Sequence, residues 1–159
     1  MSMIEGSGFE KSLITLEITE GIFIENTVYI TNLLNKFKKE KIRISLDDFG
    51  TGYSSLGLLK KLPIDELKID KSFIDDIAYD ASSLNMVAGI ISMASNFNME
   101  MLAEGVEYDE QKTILQQNGC HLFQGYLCSK PLKLNELKIF LQKHIECKDV
   151  IKDELVFNL

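Results

Sequence analysis

Residues 42–70 read IRISLDDFGTGYSSLGLLKKLPIDELKID, one complete strand–helix–strand pattern. It opens with an apolar, β-branched run at 42–46 that predicts a strand running straight into Asp47-Asp48. A glycine-broken loop, FGTGYSS, follows. Residues 54–61 then predict a short helix, which Pro63 ends. Residues 66–69 predict a second, brief strand. Two strands joined through a helix imply parallel pairing, because a parallel crossover needs the length that a helix provides.

The same unit extends in both directions. Upstream, LITLEIT at 13–19 alternates and is rich in β-branched residues, as a strand requires. Residues 27–39 place Val28, Ile30, Leu33, Leu34 and Phe37 at helical spacing, with lysines gathered where the helix dipole favours cations. Downstream come a turn near 75–80 and a helix at 83–98, whose Met86, Val87, Ile90, Ile91 and Ala94 share one stripe. A strand at 100–103, a helix at 109–118 stopped by Gly119, a strand at 122–125 and a helix at 134–144 complete the order. Five βα units predict an α/β fold, a partial TIM-type (β/α) barrel with parallel strands. Residues 1–147 read as one domain, and 148–159 as a tail with no assigned role.

Composition narrows the function. The chain has 159 residues, 45% of them hydrophobic and 26% charged, which suits one globular domain and excludes disorder. Its 24 acidic and 17 basic residues leave a formal charge of −7. That balance argues against binding DNA or RNA through phosphates, or an anionic membrane through a basic patch. The best apolar run, at 86–94, is far too short to span a bilayer. The start, MSMIEGSGFEK, lacks the basic and apolar regions of a secretory signal. Cys120, Cys128 and Cys147 read as reduced thiols, so the expected location is cytoplasmic.

Polar groups collect in one place. Glu17, Asp47 with Asp48, Lys68, Glu104 and Gln124 each stand at or near the C-terminal end of a predicted strand. In a parallel barrel those ends form the face that carries the active site. Converging carboxylates make an oxygen-rich site suited to Mg²⁺, Mn²⁺ or Ca²⁺. For adjacent Asp47 and Asp48 to face it together, the strand must end or twist there, and Gly50 and Gly52 permit that. Plainer readings exist for each group alone. Asp-Asp before glycine is a common turn or cap, Glu17 could sit at a strand-end surface, and Lys68 on a solvated face. Gly50 and Gly52 give only G-x-G, no GK[ST] loop occurs, and His121 and His144 read as structural or surface residues.

At these residues the chain resembles the EAL domain, the bacterial cyclic di-GMP phosphodiesterase family. The matching stretches are LEITE (16–20), DDFGTGYSSL (47–56), LPIDELKIDKSFI (62–74), AEGVE (103–107) and QGYLCSKPL (124–132). The resemblance implies that Glu17, Asp47, Asp48 and Glu104 are metal ligands, with Mg²⁺ or Mn²⁺ in a two-metal site. It implies that Lys68 and Gln124 position or activate the attacking water. Glu20 would hold the loop after Asp48, and Asp70, Glu107 and Tyr126 would line the guanine end of cyclic di-GMP. The implied reaction, part of bacterial signal transduction, is hydrolysis of one phosphodiester bond to the linear dinucleotide.

The chain also departs from that family. The Glu-Ala-Leu motif is absent, and only sixteen residues precede Glu17. By the resemblance, that glutamate and a later asparagine are ligands, and a nearby arginine holds substrate. The expectation is therefore a truncated domain that is inactive, or nearly so, alone. Open barrel edges and an uncovered apolar interior would favour association, with a homodimer among the outcomes. The competing reading is a non-catalytic module that binds cyclic di-GMP or another protein and self-associates through those edges.

Overall fold

A computed structural model describes residues 6, 10–23, 27–50 and 56–146. Gly52, the first residues of the expected 54–61 helix, Cys147 and the tail at 148–159 lie outside the described residues. Five strands, β1 (Thr15–Thr19), β2 (Arg43–Phe49), β3 (Glu66–Ile69), β4 (Glu100–Ala103) and β5 (Leu122–Phe123), form one sheet in sequential order. All four pairings are parallel. The helices are α1 (Thr27–Lys39), α2 (Leu56–Leu59), α3 (Lys71–Ile74), α4 (Ala81–Asn96), α5 (Asp109–Gln117) and α6 (Leu134–Glu146).

The sheet has two unlike faces because side chains alternate along a strand. One face carries Ile18, Ile44, Leu46, Leu67, Ile69, Met101, Ala103 and Phe123, all buried. Packed into the same core are Leu34 of α1, Leu59 of α2, Ile74 of α3, Val87, Ile91 and Ala94 of α4, and Leu115 of α5. Each such side chain is worth about 1.5–3 kcal/mol of transfer free energy, so this layer drives the fold.

The opposite face corrects one expectation. The interior of the barrel-like sheet is polar, not apolar. Register places Glu17 beside Ser45, Ser45 beside Glu66, and Glu66 beside Glu100. Ser45 Oγ donates to Glu66 Oε1 at 2.7 Å. Arg43 pairs with Glu100 and lies 3.8 Å from Glu66. Leu102, fully buried beside Lys68, and its neighbour Leu122 are the apolar residues among those described on this face.

Several element boundaries differ from the sequence reading, and local hydrogen bonds explain three of them. The first strand begins at Thr15, because Leu13 belongs to a 3-10 turn in which its N–H donates to Glu10 O. Residues 71–74 form a helical turn ahead of the expected turn at 75–80, since Asp70 caps it by accepting from the Ser72 N–H at 3.0 Å. The last strand is shorter than 122–125, yet the ladder continues: Gln124 N–H donates to Ala103 O at 2.9 Å and Val106 N–H to Gln124 O at 3.0 Å.

Candidate metal-dependent active site

The site is built where β1, β2, β3 and β4 end. β2 runs past Leu46 through Asp47 and Asp48 to Phe49, and its register against β3 shifts between Leu46 and Phe49. Asp48 adopts φ +56°, a left-handed conformation that asparagine and aspartate tolerate better than most residues. This local twist takes Asp48 out of strict alternation. Gly50 follows at φ +98°, where a Cβ would stand 2.9 Å from the Phe73 ring. Only glycine meets both the backbone and the space demanded there.

Lys68 is the centre of the charge cluster. Its side chain is only 3% exposed, and its Nζ lies 2.7 Å from Glu104 Oε1, 3.1 Å from Asp47 Oδ1 and 3.2 Å from Glu17 Oε1. Burial pulls the ammonium's pKa down, but hydrogen bonds and charge from Glu104 and Asp47 outweigh it and hold the group above the usual lysine range. Lys68 is therefore charged at every physiological pH. Glu104 is pushed above the ordinary carboxylate range, first by burial and then by the neighbouring Asp47 and Asp48 charges; Lys68 only partly offsets this.

Asp47, Asp48 and Glu104 each bring one carboxylate oxygen within 4.8 Å of the others. A donor set made only of carboxylate oxygens fits a hard divalent cation and not a thiolate-seeking one. Glu20 stands behind this group. It is buried, and its Oε1 accepts from the Gly50 N–H at 3.1 Å, which ties the turn after Asp48 to the end of β1. Its Oε2 is buried with no hydrogen-bond partner among the described residues.

The other expected residues follow the ends of β3, β4 and β5. Gln124 follows β5 and is fixed through its backbone. Asp70 caps α3, and hydrogen bonds from Ser72 hold its carboxyl below the usual range. Glu107 is paired with Lys71, and Tyr126 is exposed with Lys130 Nζ 5.4 Å from its ring centre.

Two positioning residues escaped the sequence reading. Gln111, 3% exposed, accepts from the N–H groups of Glu107 and Tyr108 at 2.9 and 3.1 Å and donates to Ile74 O at 3.1 Å. It thereby locks the segment after Glu104 to α3. Gln111 is the N3 half of a capping box, but Tyr108 holds the N-cap in place of the serine, threonine, aspartate or asparagine that makes the pattern readable in a sequence. Lys71 pairs with Glu107, and its Cγ would lie 2.3 Å from a Cβ on Gly105, which has φ +68°. Nothing in the local sequence announces that packing.

Comparison with known proteins agrees with this geometry. The family model for the EAL domain matches residues 2–131. Cyclic di-GMP phosphodiesterase NbdA of Pseudomonas aeruginosa is 40% identical over 141 residues, covering 89% of this chain and 18% of that protein. Among solved structures, the EAL domain of Mycobacterium smegmatis DcpA superposes with a TM-score of 0.83 at 35% identity, over 89% of this chain and 64% of that one. The manganese and cyclic di-GMP complex of Klebsiella pneumoniae BlrP1 gives 0.75 at 30% identity, over 82% and 33%. This chain thus spans less than a fifth of the NbdA protein and about two thirds of the solved EAL domain from DcpA.

Proposed function

Because this chain belongs to the EAL domain family, we propose that it carries the greater part of a site for metal-dependent hydrolysis of one phosphodiester bond of cyclic di-GMP, with the linear dinucleotide as product. One observation carries the reading: three carboxylates from the ends of β2 and β4 converge within 4.8 Å, beside a buried lysine at the end of β3. Asp47, Asp48 and Glu104, with Glu17 adjoining through Lys68, are the residues to hold Mg²⁺ or Mn²⁺, as a pair of ions by the family resemblance. Such cations neutralise phosphate charge and lower the pKa of a bound water.

The chain's own groups have distinct tasks in this reading. The Lys68 ammonium favours negative charge that builds up on the phosphate oxygens. Gln124, at the next strand end, orients the attacking water. Glu20 keeps Gly50, and through it the two aspartates, aimed at the cations. Tyr126 offers an exposed ring for a guanine to stack on, while Asp70 and Glu107 present carboxylate oxygens at the rim. Residues 1–147 act as one domain in the cytoplasm. The 159-residue chain contains no Glu-Ala-Leu triplet, and alone it is inactive or nearly so, because hard cations are held by ligand number and charge.

The test is calorimetry and chromatography with cyclic di-GMP and Mg²⁺ or Mn²⁺, beside an Asp47→Ala control. Cation-dependent nucleotide binding that the control abolishes, with little or no product, is the expected result. A folded chain that neither binds nor hydrolyses the nucleotide would overturn the assignment.

A further inference from the structure

Lys68 and a divalent cation have claims on the same oxygens. Asp47 and Glu104 are partners of the ammonium at 3.1 and 2.7 Å, and both belong to the carboxylate trio that could hold a metal. The lysine is almost wholly removed from water, and burying a charge is tolerable only when it is paired. Conversely, carboxylates gathered this closely repel one another unless a cation lies among them. We propose that Lys68 is a built-in counter-cation, which holds the acid cluster together before metal arrives and loosens its hold on Asp47 and Glu104 as a divalent cation takes them. This rests on the metal-site reading above and adds a function to it. The lysine sets the threshold for metal: a positive charge already at the carboxylates lowers their affinity for a second, and by linkage the metal weakens the lysine's ion pairs equally.

The experiment compares wild type with Lys68→Met by thermal melting and Mn²⁺ calorimetry, with no nucleotide present. The variant should melt below wild type without metal, gain more from Mn²⁺ than wild type does, and bind Mn²⁺ about tenfold more tightly. Equal or weaker Mn²⁺ binding by the variant, with wild type binding normally, would overturn this inference and leave the metal site standing. If wild type binds no Mn²⁺ at all, the metal-site reading fails and takes the inference with it. A measurement on wild type alone covers a variant that does not fold. The Lys68 ammonium, labelled with ¹⁵N, should shift in NMR spectra in step with Mg²⁺ binding. A signal unmoved at an Mg²⁺ level that saturates the melting shift would overturn the inference.

Discussion

At residue scale, environment sets the chemistry of side chains that look alike in the sequence. Asp47 and Asp48 are neighbours on β2, yet Asp48 sits at φ +56°, and that twist lets both carboxylates of the dipeptide reach the same cluster with Glu104. The cysteines diverge as sharply. Cys120 is fully buried, and that burial pushes its thiol up to about 11, whereas Cys128 is exposed. A raised thiol pKa means less thiolate at neutral pH, and burial adds a barrier to reagents. Under native conditions an alkylating reagent should therefore modify Cys128 and spare Cys120, which should react only after denaturant is added. Peptide mapping by mass spectrometry checks this, and native labelling of Cys120 at the Cys128 rate would show that its burial is wrongly described.

At element scale, short connections position the site more than the regular elements do. Gln111 satisfies two backbone N–H groups and one carbonyl that join the segment after β4 to α3. Gln111→Leu would strand these groups in a buried place, where each unsatisfied partner costs about 1–3 kcal/mol. We expect a loss of about 3 kcal/mol in denaturant unfolding and a smaller loss for Gln111→Glu, which keeps the acceptor. Equal losses for both would point to shape and not to hydrogen bonding. Most elements were legible beforehand because their patterns are local. Residues 66–69 and 100–103 were read as strands at the limits the structure gives. The three-residue continuation of β2 through Asp47, Asp48 and Phe49 was not, because two acidic residues contradict strand propensity and only pairing with β1 and β3 overrides it.

At the scale of the whole molecule, β1 and β5 form the two edges of the sheet among the described residues, and none of the described side chains at 134–143 on α6 is buried. Unpaired strand edges recruit other strands, and α6 exposes Leu134 and Ile139. The polar interior face contributes little to such association, so edge backbone and α6 are the contacts we expect. The melting temperature should then rise with protein concentration, and sedimentation velocity should show a dimer at the upper end. A melting temperature independent of concentration, with a monomer throughout, would remove self-association.

Periodicity and breakers act within a few residues, so the α/β class, the parallel order, and the strand ends that carry Glu17, Asp47, Asp48, Lys68 and Glu104 are legible in the sequence. The polar interior face, Lys68 as the hub of three carboxylates, and the bracing by Gln111 and Lys71 emerge only once the strands are paired. Those outcomes depend on register between strands up to dozens of residues apart, and no local pattern encodes the distance between one strand's side chain and the next.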